Sequence, residues 1–166
     1  MASYLDILDS IAKVIGGTAP DATNRPRWFS GVAAGDGTGI AGLNGCYSIP
    51  PDGAAQDPPI AVLIPDTGSY PGILVQGGQE RIDNVRLIVV VPRNSPETQI
   101  PTLMSIADAV PSAFQAHMTA YSAANVMSVY PVRWRLLAGY NWSGEEHLAL
   151  EYLLEVRRYA AVTYTL

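Results

Sequence analysis

The chain has 166 residues, 48% of them hydrophobic and 15% charged, with a net charge of −5. That length suits one domain, which at this size buries about 70% of its unfolded surface without staples, and the hydrophobic share argues against disorder. Nine arginines and the single lysine Lys13 are outnumbered by fifteen acids, so the basic footprint of a nucleic-acid grip is missing. Cys46 is the only cysteine, which excludes an intramolecular disulfide and a thiolate metal cage. The opening Met1-Ala2-Ser3-Tyr4-Leu5-Asp6 lacks the basic start and apolar run of a signal peptide. No window approaches the roughly 18 apolar residues of a membrane span. Synthesis inside the cell is the expectation.

Leu5, Leu8, Ile11 and Ile15 recur at helical spacing and predict an N-terminal helix over 4–15. Ser3 caps it, with Asp6 three residues on in a capping-box arrangement, and Gly16-Gly17 ends it. Residues 16–78 then hold 21 of the 28 glycines and prolines, a density that predicts long loops with only short strands. Ile60 to Ile64 between prolines reads as a buried strand, and Cys46 to Ile49 as another strand end. A β-branched run ending in Leu87 to Val91 predicts a central strand within 81–91. Ile100, Leu103, Ala107, Val110 and Phe114 predict a second helix over 102–118, with Pro101 in its first turn and Pro111 kinking or dividing it.

Val132, Trp134, Leu136, Ala138 and Tyr140 alternate with polar and other residues, the period of a half-buried strand. After a turn at Ser143-Gly144, residues 148–156 alternate again; strand is the stronger reading there, with helix over 147–158 as the alternative. The hairpin sets Arg133 and Arg135 against Glu151 and Glu155, and 159–166 extends the last strand or pairs with another subunit. The expected fold is α+β in a single domain: a helix over 1–16, a loop-rich segment with short strands over 17–80, and a strand–helix–hairpin core over 81–166. Its sheet is mostly antiparallel, with the N-terminal helix and one central helix packed on it and long Gly/Pro-rich loops.

Catalytic signatures fail on context. Gly37-Thr38-Gly39-Ile40-Ala41-Gly42 matches the dinucleotide fingerprint, yet no strand precedes it and no helix follows. His117 and His147 have no ligand partner at metal spacing, and there is neither a Gly-x-Ser-x-Gly elbow nor a phosphate-cradling loop. Glu145-Glu146, Asp52, Asp57 and Asp66 fall in turns and loops, where acids start turns. Trp28, Trp134 and Trp142 read as core, interface or binding aromatics. The expectation is a non-enzymatic protein with no catalytic residue, metal or cofactor.

The order of elements resembles the tail terminator (tail-completion, head–tail joining) proteins of long-tailed bacteriophages. The likeness rests on the helix 4–15, a long loop region, the strand 85–91 ending at Pro92-Arg93, the helix 102–118 and the long hairpin closing with 148–164. It implies a virion protein forming a ring, usually of six copies, that stops tail-tube growth and meets the head connector. DNA would pass through the lumen without specific binding, which suits an acidic ring, and no membrane would be involved. It also implies that Arg133, Arg135, Glu151 and Glu155 lie on or near the ring wall. Pro65 and Tyr70 in the loop 65–78, with Trp28, are further interface candidates. Two rivals are a different phage component, such as a tail-tube or head-closure subunit, and a small-molecule-binding or enzymatic domain with a pocket lined by Trp28 or Trp142.

Overall fold

A computed structural model describes residues 3–31, 39–53, 55–74, 78–116 and 126–161. Its elements run α1 (Tyr4–Gly16), β1 (Ala19–Pro20), β2 (Trp28–Ser30), β3 (Gly45–Tyr47), β4 (Ile60–Leu74), β5 (Gly78–Val90), α2 (Pro96–Ala116), β6 (Val126–Trp142) and β7 (Glu145–Ala161). The class is α+β: two helices and one seven-stranded sheet of order β1-β2-β3-β4-β5-β7-β6, antiparallel except for β3 beside β4.

Helix α1 forms where local signals put it. Ser3 and Asp6 close a reciprocal capping box, and Ile7, Leu8, Ile11, Val14 and Ile15 make the buried stripe. Its last residue, Gly16, has no room for a side chain: a Cβ there would lie 2.3 Å from the Phe29 carbonyl oxygen and 2.4 Å from the Cys46 nitrogen. Helix α2 starts at Pro96 rather than 102, because Ser95-Pro96-Glu97 supplies a cap, a first-turn proline and an acid at the positive helix end. Both Pro101 and Pro111 therefore lie inside it. Pro111 cannot bond the carbonyl of Ala107, four residues back; the Tyr152 hydroxyl on β7 donates to that oxygen instead.

Both helices lie on one face of the sheet, where Ile11, Ile15, Leu103, Val110 and Phe114 meet Leu87, Val89, Leu150, Leu154 and Val156. The opposite face carries a second cluster of Ile60, Val62, Ile88, Val90 and Ala149 under Trp28, Tyr47 and Trp142. Strands β4 and β5 are thus covered on both faces over 60–63 and 87–90, which explains their unbroken apolar runs. The loop over this second cluster is tied down at Gln56: its carbonyl accepts from Trp142 Nε1 at 2.9 Å and its amide donates to the Tyr47 hydroxyl at 3.2 Å.

Residues 65–74, expected as loop, continue β4 as the outer strand of a long hairpin with β5. Breaker residues are tolerated there because one side of β4 has no ladder beyond residue 62 among the described residues, and register shifts occur between Pro65/Gly68 and Ser69/Gly72. The last two strands form the expected hairpin, so the helical alternative over 147–158 is not adopted. Ser143 and Gly144 both take positive φ, 54° and 84°, as a two-residue primed turn requires.

Candidate assembly surface

Strand β6 is a sheet edge, bonded among the described residues to β7 on one side only. Trp134 and Leu136 sit opposite Tyr152 and Leu150, on the face that carries the helices, but neither helix extends over them. Tyr130, Val132, Trp134 and Leu136 are 65%, 49%, 51% and 44% exposed. The expected half-buried strand is therefore exposed on both faces along its middle, and neither α1 nor α2 lies over it. A long edge strand with apolar side chains and free backbone groups is a template for pairing with another chain.

A second free edge lies across the same sheet. Beyond residue 62, β4 keeps only β5 as a partner among the described residues. Pro65, Asp66, Thr67 and Tyr70 are exposed along it. Tyr70 lies under the Arg81 guanidinium, 5.5 Å from ring centre, and its hydroxyl accepts from Arg81 Nη1 at 3.3 Å.

The charged residues of the hairpin pair only partly as expected. Arg135 faces Glu151, with Nε 2.6 Å from Oε1, and Arg86 from β5 approaches the other carboxylate oxygen at 3.5 Å. Arg133 faces Leu153, not Glu155, because it continues the same register as Arg135 opposite Glu151: two residues back along β6 is two residues on along β7. Glu155 pairs with Arg157 at 2.7 Å on its own strand. Arg133 consequently has no ion pair among the described residues, and neither has Asp66.

At the base of the β4–β5 hairpin, buried Asp83 receives Arg81 Nε at 2.7 Å, and Arg158 Nε lies 2.9 Å from its other oxygen. The second approach is a charge contact whose angle does not make a hydrogen bond. Both guanidiniums lie over the Tyr4 ring, at 5.7 and 5.4 Å. Burial, then the Asp83 charge, pushes the Tyr4 hydroxyl up to about 12. This cluster joins α1, β5 and β7, and no sequence spacing pointed to it.

Other candidates fall elsewhere. Trp28 is buried and packs on Tyr47, with ring centres 4.6 Å apart, so it belongs to the core and not to an interface. Trp142 is buried beside the same tyrosine, and neither indole is free to line an open pocket. His147 is buried with Nδ1 3.0 Å from the Val91 carbonyl oxygen, to which it donates; His117 lies outside the described residues. Cys46 is buried, and burial raises its thiol, making it an inert core group. Of the glycine fingerprint, 37 and 38 are outside the described residues, and Ile40 is a buried plug whose amide donates to the α1 carbonyl of Ile15. Asp52, Asp57, Glu145 and Glu146 are exposed.

No protein-family model matches the chain. A search of curated proteins likewise finds no match.

Proposed function

We propose that this chain is a non-catalytic structural subunit of a bacteriophage tail, assembling into a closed ring, usually of six copies, at the head-proximal end. There it ends the tail tube and joins it to the head connector. Its partners are other copies of itself, the tail-tube protein and the connector, in the assembled virion. DNA passes through the lumen, and the acidic balance of the chain keeps the phosphate backbone from sticking.

The observation that carries the reading is strand β6, an edge that presents Tyr130, Val132, Trp134 and Leu136 to solvent. Left bare, it would invite indiscriminate pairing; in a ring it is covered by a neighbour. The element order supports the family resemblance. The test is negative-stain imaging of the purified protein, alone and added to growing tail tubes. Rings of uniform diameter that arrest tube growth are expected. Open helical filaments would favour a tail-tube subunit, and a monomer that neither closes nor arrests growth would contradict the reading.

A further inference from the structure

Strands β4, β5, β7 and β6 form a four-stranded antiparallel band whose outer edges, β6 and β4 beyond residue 62, are free among the described residues. We propose that the joint between neighbouring copies is made by these two edges: β6 of one copy adds to the 64–74 stretch of β4 in the next. The proposal rests on the assembly reading and specifies the contact that builds it.

Strand direction supports the match. In an antiparallel band of four, the outer strands β4 and β6 run in opposite directions. In a ring whose axis runs along the strands of the band, rotation keeps strand directions, so β6 meets the next β4 antiparallel and the alternation continues unbroken. The contact joins two different patches, as closure into a ring requires.

Level and charge agree as well. Ile64 pairs with Arg86, Arg86 with Leu153, and Leu153 with Arg133, so these four residues form one row across the band. Arg133 is thus level with the start of the free stretch of β4, two residues from Asp66. Arg133 and Arg135 are the only charged residues on β6, and Asp66 is the only one over 64–74. Arg133 and Asp66 are both exposed and both without an ion pair among the described residues. The rival contact, β6 against β6 about a two-fold axis, brings arginines together on one face, where like charges oppose pairing.

The experiment is a charge swap with cysteine cross-linking. Arg133→Glu and Asp66→Arg are each expected to raise the concentration for half-assembly about ten-fold, and the double variant to return it near wild type, since like-charge contacts cost affinity that complementary ones recover. Circular dichroism of each monomer confirms that these exposed substitutions leave the fold intact. In a Cys46→Ala background, Arg133→Cys with Asp66→Cys should oxidise to a ladder of trimers and higher species, whereas Arg133→Cys alone should not dimerise. If the wild type assembles but the swap does not restore it and no ladder forms, the edge pairing is wrong and the ring reading stands. Efficient disulfide-linked dimers of the Arg133→Cys single variant would establish the two-fold contact instead. A wild type that never leaves the monomer, alone or on tail tubes, overturns both.

Discussion

Tyr152 shows how one side chain permits a backbone that its own element could not support. A proline inside a helix orphans the carbonyl four residues earlier, and here the β7 hydroxyl fills the vacancy left by Pro111. Tyr152→Phe leaves the buried Ala107 carbonyl unpaired and is expected to cost about 1–3 kcal/mol. In a Pro111→Ala background the amide of residue 111 takes that carbonyl, so the same substitution should cost clearly less. A double-mutant cycle by urea denaturation measures the difference, and equal costs in both backgrounds would refute the coupling. At the N-terminus, hydrogen bonds from the Ser3 side chain and backbone hold the Asp6 carboxyl below its usual 3.8. Because the folded value is depressed, the cap's contribution is present above pH 3.8 and is lost as pH falls through that lower value. Asp6→Asn should flatten the acid limb of stability against pH; an unchanged limb would show that the cap contributes nothing.

At the scale of elements, what could be read from sequence depended on how local the signals were. Helix α1 was legible in full, because stripe, cap and stop all lie within the segment. The β6–β7 hairpin was legible from its alternation and turn, but counting from the turn sets Arg135 opposite Tyr152, and a register shift between Leu137 and Tyr140 brings it to Glu151 instead. Arg133 was misplaced because a regular ladder that sets Arg135 opposite Glu151 sets Arg133 opposite Leu153, so Glu155 is out of its reach. The β4–β5 hairpin was missed because Pro65, Gly68, Pro71 and Gly72 are breakers in a central strand but acceptable on an edge with register shifts. Trp28 was misassigned because an aromatic between breakers looks the same whether it plugs a core or waits for a partner. The turn itself can be improved: Ser143 takes a left-handed conformation that asparagine adopts more readily. Ser143→Asn should stabilise the hairpin by roughly 0.5–1 kcal/mol, seen as a melting temperature about 1–4 °C higher. No increase would mean that the Asn141 side chain, already accepting from the Gly144 amide at 3.2 Å, sets the turn unaided.

For the whole molecule, the fold class was accessible from sequence, whereas the candidate surface was not. Alternation in 130–136 announces a strand with an apolar side, but only the three-dimensional arrangement shows that the helices stop short of it. The resulting molecule has a well-filled core on both faces of β4 and β5 and two unsatisfied edges at the margins of one band. Buried Glu151 and Asp83 have ion-pair partners inside the chain, while among the described residues the exposed Arg133 and Asp66 at the two edges have none. Those two open edges are what assembly would resolve. The most direct test is sedimentation of the wild type beside Val132→Lys/Leu136→Lys, since lysines on an edge strand block pairing and disturb little else in an exposed position. The wild type should sediment as a closed oligomer at micromolar concentration and the double variant as a folded monomer. A wild type that stays monomeric alone and on tail tubes, or a lysine variant that assembles equally well, would contradict the account.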